Sequence, residues 1–345
     1  LADLKLSLTD RTPSIWVRDA ETLALDVVDL ADEITDLVRQ EKWHNDVVLI
    51  LLEKSINDLS ARLNENFAAL VLDDKQQKKI YEAHSASRVA IDFFIKQLSR
   101  LRLAPYETSR PVTGSRFFGR RTFLNQIINN PDKNYLVTGV RRIGKTSLLH
   151  EIKRRLDRKD PPLPHQTRRI YIDCSVLTSE DEFYREIIYR LNPAGLKQLE
   201  RDTRSRRYQS QVFEHLAALH GGTVTFILDE IDWLLEILGA DSEFFNVLRR
   251  ASAQNAARFI MAGFRFSEQA ASDIKTPFFN LGQLLRLEAF ERKDVKQLVD
   301  FPMWQLRVTL EGHDEIIKEI FRETSGLPNL VQFYCQTLLE RLESG

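Results

Sequence analysis

The sequence predicts an α/β fold, a five-stranded parallel sheet with helices on both faces, preceded by an all-α bundle and followed by a small helical domain. Three observations predict it. Between about residues 106 and 290, short apolar runs alternate with helical stretches, the pattern of strand–helix–strand units whose crossovers cover a parallel sheet. Up to residue 105, apolar residues recur at helical spacing and glycine is absent. After Phe290 only helical patterns remain.

In the N-terminal segment, Leu23, Leu25, Val28, Leu30, Ile34 and Val38 mark one helical face. Ile50, Leu51, Ile56, Leu59 and Leu63 mark a second, and Ile80, Ala83, Ala90, Phe93, Phe94, Leu98 and Leu101 a third. Helices with one apolar face each must bury it on one another or on a partner. Residues 1–105 are therefore expected to form an antiparallel bundle. Arg102 to Arg116, broken by Pro105, Pro111 and Gly114, reads as a linker. Strands are expected at Tyr135–Thr138, Arg169–Asp173, Val224–Leu228, Phe259–Ala262 and Leu284–Leu287, and later helices at Asp294–Val299, Asp314–Phe321 and Leu330–Leu342. The resulting domains are 1–105, 106–290 and 291–345.

Composition narrows the function classes. A formal net charge of -1 gives no overall field that would drive the chain onto nucleic acid or an anionic membrane. The longest apolar stretch, Val47 to Leu52, falls far short of the roughly 20 residues a membrane helix requires. Cys174 and Cys335 lie far apart and form no CxxC or Cys/His pair, which argues against zinc and for a reducing, cytoplasmic setting. The chain begins at Leu1 rather than Met, as a piece of a longer protein would.

One motif carries phosphate chemistry. Gly139-Val-Arg-Arg142-Ile143-Gly144-Lys145-Thr146 fits GxxxxGK[ST] at every fixed position. An apolar strand precedes it, and a helix with Leu148, Leu149 and Ile152 follows. Glycines let backbone N–H groups curl around a β-phosphate, and the helix N-terminus adds its dipole. Lys145 would reach the β- and γ-phosphates, and the Thr146 hydroxyl would ligate Mg²⁺. A second apolar run, Val224 to Leu228, delivers Asp229 and Glu230 to the edge where open α/β sheets bind ligands. Asp229 is the expected Mg²⁺ holder, and Glu230 is placed to orient or deprotonate an attacking water. Asp232, a turn onward, reads as a helix cap or surface charge.

With both motifs in place, the sequence resembles the STAND branch of P-loop ATPases, close to AAA+ and archaeal-type ATPases and to NB-ARC domains. Four passages carry the resemblance. Phe118-Gly119-Arg120 looks like the adenine-side motif, and Gly139 through Thr146, Ser147, Leu148 and Leu149 like the P-loop. Phe259 to Arg265 is similar to the sensor-1 strand, with Arg265 as the γ-phosphate sensor; Ser325-Gly-Leu-Pro328-Asn329 looks like the lid motif whose proline lies against the nucleotide. The resemblance implies a strand order of 5-1-4-3-2 and ATP/ADP with Mg²⁺ as ligands. It also implies slow ATP hydrolysis and a switch whose ATP state self-associates and signals, in prokaryotes often in defence. The trigger is not legible, and residues 1–105 become the candidate effector or oligomerisation element.

Two other readings stand beside it: a DNA-associated AAA+ ATPase such as an initiator or transposition helper, and an ATP-binding scaffold that does not hydrolyse. Lys153, Arg154, Arg155, Arg158 and Lys159 form one basic cluster, and Arg201, Arg204, Arg206 and Arg207 another. Either would suit a nucleic-acid backbone, but neither carries interleaved aromatics and both have acidic neighbours, so a solvated face is favoured. Arg249, Arg250 and Arg258 lie where AAA+ proteins place a trans-acting arginine, and a solvated helix face explains them equally well.

Overall fold

The structure is a computed structural model of the 345-residue chain and describes residues 12–17, 25–43, 47–159, 169–191 and 206–344. It divides into two compact units. One comprises Pro111–Thr113 with Gly119–Ala289; the other gathers the chain up to Arg110, Gly114–Phe118 and Phe290 onward.

The N-terminal segment corrects one expectation. Helices are present, but three parallel strands lie among them, so the segment is not all-α. In order it runs β1 (Ser14–Val17), α1 (Val27–Gln40), β2 (Val47–Leu52), α2 (Leu59–Asn64), β3 (Ala68–Leu72), α3 (Asp74–Glu82), α4 (Ala86–Phe94) and α5 (Arg100–Leu103). The sheet order is β1-β2-β3, all parallel. The residues expected in a second helix, Ile50 and Leu51, lie in β2. A six-residue run of Val-Val-Leu-Ile-Leu-Leu is ambiguous by period alone, and strands covered on both faces lose the alternation that identifies them. Both faces of this sheet are covered. Val48, Ile50, Leu52, Ala69 and Val71 pack with α1 and α2, while Leu70 and Leu72 belong to a second cluster with α4.

The outer edge of β3 is closed by side chains. Asn64 accepts from Ala69 N–H at 2.8 Å and donates to Ala69 O at 3.0 Å. Gln97 accepts from Val71 N–H and donates to Val71 O, both at 2.7 Å. Two carboxamides thus stand in for the backbone of a missing neighbour strand and blunt an edge that would otherwise pair with another chain. Gln97→Leu is expected to destabilise the protein by about 1–3 kcal/mol, because it strands a backbone donor and acceptor together. Urea unfolding of the purified variant measures this, and an unchanged midpoint would refute the edge role.

The second unit holds α6 (Arg121–Ile128), β4 (Tyr135–Thr138), α7 (Lys145–Lys159), β5 (Arg169–Asp173), α8 (Glu180–Leu191), α9 (Arg206–Leu219), β6 (Val224–Asp229), α10 (Ile231–Leu238), α11 (Glu243–Ala253), β7 (Ala257–Ala262), α12 (Arg265–Ser272) and β8 (Gln283–Arg286). Its sheet order is β5-β6-β7-β4-β8 with every pair parallel. Counted within the unit, that is the expected 5-1-4-3-2 order read from the other edge. Strands β4, β6 and β7 are buried along their whole length, as parallel strands between helical layers must be. One side is filled by Phe183, Tyr184, Phe213, Phe226, Phe244 and Phe259 in mostly edge-to-face contacts. Because β4 is flanked by β7 and β8 rather than β5, the chain must cross over after Thr138. The crevice at such a reversal is where this architecture binds ligands.

After Phe290 come α13 (Arg292–Gln305), α14 (His313–Thr324) and α15 (Pro328–Ser344). These helices share one buried cluster with the N-terminal segment: Leu70, Leu72, Ile91, Phe94 and Leu98 pack in it with Leu298, Met303, Leu306, Val331 and Leu339. Polar ties reinforce the union. Arg307 donates to Asp92 Oδ1 at 2.8 and 3.0 Å, Arg100 Nε to Leu306 O at 2.9 Å, and Asn329 Nδ2 to Thr108 O at 2.7 Å. Among the described residues no helix is long and apolar enough to cross a membrane.

Candidate functional site

The site begins where β4 ends. Gly139 has φ +154°, and a Cβ there would come within 2.7 Å of Leu287 O, so the loop passes too close to the β8 exit for any side chain. Gly144 sits at φ +99° directly before α7, a conformation that L side chains rarely adopt. Between them Arg142 takes the left-handed conformation at φ +62°, and Ile143 is buried beneath the loop as its anchor. Arg141 and Arg142 are exposed at the tip. Glycine at both ends, a helix N-terminus beyond, and an ammonium at the first helical residue make a cradle fitted to phosphate.

Lys145 is only 7% exposed. Its Nζ donates to Gly139 O at 2.8 Å and Val140 O at 3.3 Å and lies 5.7 Å from the centre of the Phe264 ring. Burial pushes its pKa below the ordinary lysine value, while Glu230 and Asp229 pull it back up. Thr146 is half-buried on the first turn of α7, and the hydroxyl of Ser147 accepts from Val112 N–H at 3.1 Å.

Asp229 ends β6 at 2% exposed. Its Oδ1 accepts the Glu230 N–H at 3.0 Å, and its Oδ2 accepts the Tyr171 hydroxyl at 2.8 Å. Glu230 follows at φ 51°, ψ 46°, left-handed for a residue with a Cβ. Such strain costs about 1–3 kcal/mol and concentrates at functional positions. Desolvation of its carboxyl, helped by Asp229 and opposed by Lys145, raises its pKa above the usual glutamate value. The residue as a whole is exposed. The Lys145 ammonium on α7 thus sits in the field of Asp229, at the end of β6, and of Glu230, the residue after it. The oxygens of Asp229 and Thr146 suit a hard divalent cation held together with phosphate oxygens.

Four residues that sequence reading gave no site role, or only a generic one, support this centre. Tyr171 on β5 bonds Asp229, and the His150 ring on α7 stacks on it at 4.3 Å and 25°. Burial and then Asp229 push the Tyr171 hydroxyl well above its ordinary pKa, so it stays a donor. Phe264 lies beside Lys145. Asp232 caps α12 from outside that helix, accepting from Phe264 N–H, from Ser267 N–H at 2.9 Å and from Ser267 Oγ at 3.2 Å. The approach is so close that a Cβ on Gly263 would fall 2.5 Å from Asp232 Oδ2. Tyr171 comes into view only once the pairing of β5 with β6 is set. In the β5–β6 register Asp173 pairs with Asp229, which puts Tyr171 two residues back on the same face.

The remaining candidates are placed as follows. Arg120, at φ 62°, donates from Nη2 to Glu288 O at 2.5 Å and Ile143 O at 3.4 Å, tying the P-loop to the β8 exit, with Gly119 preceding it at φ +63°. Arg265 is exposed, with its guanidinium 5.4 Å from the Phe264 ring centre, on the face of α12 carrying Glu268, Gln269, Ser272 and Asp273. Phe118 and Pro328 belong to the other unit, where Phe118 packs on the shared cluster and Pro328 opens α15, a position at which proline costs nothing. Arg258 is buried, donating to Ile127 O at 2.5 Å, Asn130 O at 3.0 Å and Lys133 O at 3.0 Å, which makes it a structural residue. Arg250 pairs with Glu243 at 2.7 Å. On α7 the basic cluster is matched by acids. Arg154 and Arg155 both pair with the fully buried Glu151 at 2.7 Å, and Lys153 with Asp157 at 2.6 Å. Arg201 and Arg204 lie outside the described residues.

This sheet order, loop and acidic strand end define a P-loop ATPase fold. Residues 128–269 match the family model described as an AAA domain. Among solved structures, a Walker-type ATPase of Pyrococcus abyssi is similar at 16% identity and a TM-score of 0.51, over 68% of this chain and 71% of that one. The ORC2 protein of Aeropyrum pernix gives 15% and 0.45 over 64% and 59%. Domain III of the Thermotoga maritima replication initiation protein DnaA gives 14% and 0.42 over 65% and 83%. No curated protein matches the sequence.

Proposed function

We propose that this chain is an ATP-dependent switch of the STAND type, in which ATP with Mg²⁺ drives self-association and slow hydrolysis resets it. The observation that supports the reading most is the shared hydrophobic core of α13–α15 and the N-terminal sheet. By the resemblance, the helices carrying Pro328 respond to the nucleotide. Close-packed interiors transmit displacement rather than absorb it, so a movement of these helices carries the N-terminal segment with them. Residues 1–105 are then the effector or oligomerisation element, 106–290 the ATPase core and 291–345 the lid. A cytoplasmic role in signalling, prokaryotic defence included, fits this design.

Within the core, backbone N–H groups from Gly139 to Gly144 hold the phosphates and Lys145 neutralises them. Thr146 and Asp229 hold Mg²⁺, which when bound offsets charge developing on the phosphate oxygens. Glu230 orients a water and takes its proton. Arg120 shapes the adenine side, and Arg265 reports on the γ-phosphate once its side chain turns inward.

Light scattering with ADP, and then with a non-hydrolysable ATP analogue plus Mg²⁺, tests the reading. A rise in mass with the analogue only is the expected result. An unchanged mass, accompanied by ATP-dependent binding of duplex DNA with a steep salt dependence, would replace it with the DNA-associated reading. The paired charges on α7 weigh against that outcome.

A further inference from the structure

We infer that Tyr171 is a positioning residue for the metal-holding carboxylate, and that Mg²⁺ linkage of nucleotide binding runs through its hydroxyl. The inference rests on the ATP–Mg²⁺ reading above. Asp229 has two carboxylate oxygens, and each takes one protein donor: the Glu230 N–H at 3.0 Å on Oδ1 and the Tyr171 hydroxyl at 2.8 Å on Oδ2. Tyr171 donates from within β5, and the Glu230 N–H belongs to the residue directly after β6, at the N-cap of α10. A carboxylate on Cβ rotates about χ2 over a broad range unless hydrogen bonds stop it. With both oxygens engaged, the plane is set and each oxygen keeps a lone pair with which it would hold the cation.

Tyr171 is itself held from two sides. His150, one turn into the P-loop helix, stacks on its ring at 4.3 Å, and Arg190 donates to its carbonyl at 2.7 Å. The phenol therefore spans α7 and β6, the two elements that carry Thr146 and Asp229. Loss of the hydroxyl frees the carboxylate without opening a cavity, because the ring and its stack remain. The expected defect is thus confined to the metal, not to the phosphate cradle.

Titration of purified full-length protein with a fluorescent ATP analogue, in Mg²⁺ and in EDTA, measures the linkage as the ratio of the two affinities. For Tyr171→Phe the ratio is expected to fall about 10-fold, within the range for partners that orient a metal ligand. Its EDTA affinity and circular dichroism should match wild type. His150→Ala should give a smaller loss of the same kind. In Asp229→Asn the further change Tyr171→Phe should cost nothing more, since the group it orients is gone. A wild-type ratio in Tyr171→Phe, or an equal loss in EDTA, overturns the positioning role. Failure of wild type to bind the analogue at all overturns the ATP reading, and this inference with it.

Discussion

Glu230→Gln is expected to abolish turnover while leaving ATP bound. The substitution keeps the length and shape of the side chain and its hydrogen-bonding end but removes the basic oxygen. A positioned general base contributes about 10²–10⁴-fold, so phosphate release should fall by at least about 100-fold. Affinity for Mg²⁺-ATP should stay within about threefold, because the cradle from Gly139 to Lys145 and the buried Asp229, the proposed metal holder, are untouched. The left-handed backbone at Glu230 supports this assignment: a strained φ of 51° survives where the surrounding fold overdetermines it, here between a fully buried strand and the apolar α10. With hydrolysis removed, ATP itself should act like its non-hydrolysable analogue, and the heavy species in light scattering should persist instead of decaying. Turnover near the wild-type rate would remove Glu230 from the chemistry, and a collapse of affinity would make its role one of binding.

The α/β core was legible because its physics is local. Each strand read from an apolar run lies within two residues of its observed bounds, since short apolar runs between helical stretches have few alternatives at that length. Gly139 and Gly144 announce themselves because only glycine meets the demands of a close carbonyl and a positive φ. The N-terminal sheet was not legible for a physical reason. Val47–Leu52 is covered on both faces, so its pattern is continuous rather than alternating, and the elements that cover it lie as far away in sequence as Leu298 and Leu339. No window of the chain contains that information. The same holds for Asp232 and Tyr171. A carboxylate capping a helix 32 residues away, and a phenol reaching a neighbouring strand 58 residues on, depend on strand order. The order came from resemblance, and the side-chain partners came only with the fold.

Lys145→Ala is expected to lower affinity for the Mg²⁺-ATP analogue by about 100-fold or more, the scale of truncating one partner of a buried, hydrogen-bonded charge pair. Folding should suffer little. The two carbonyls that Lys145 Nζ holds, Gly139 O and Val140 O, belong to a loop that water reaches, so their loss costs about 1 kcal/mol or less. Against that loss stands the relief of an ammonium that burial disfavours. The sign of this second effect can be followed in pH. Lys145 holds its proton less tightly in the folded chain than in the unfolded one, so between the two pKa values the unfolded state binds more protons. Wild-type stability contributed by this group therefore rises with pH through that window, up to the unfolded value of about 10.4. Lys145→Ala lacks this gain, so the difference between wild-type and variant melting temperatures should move in favour of wild type as pH increases there. Calorimetric titration measures the affinity, and paired melts across alkaline pH measure the rest. A variant that binds normally would exclude Lys145 from the phosphate site. A variant that binds poorly but still gains mass with the analogue would separate nucleotide from assembly and leave the switch without its trigger.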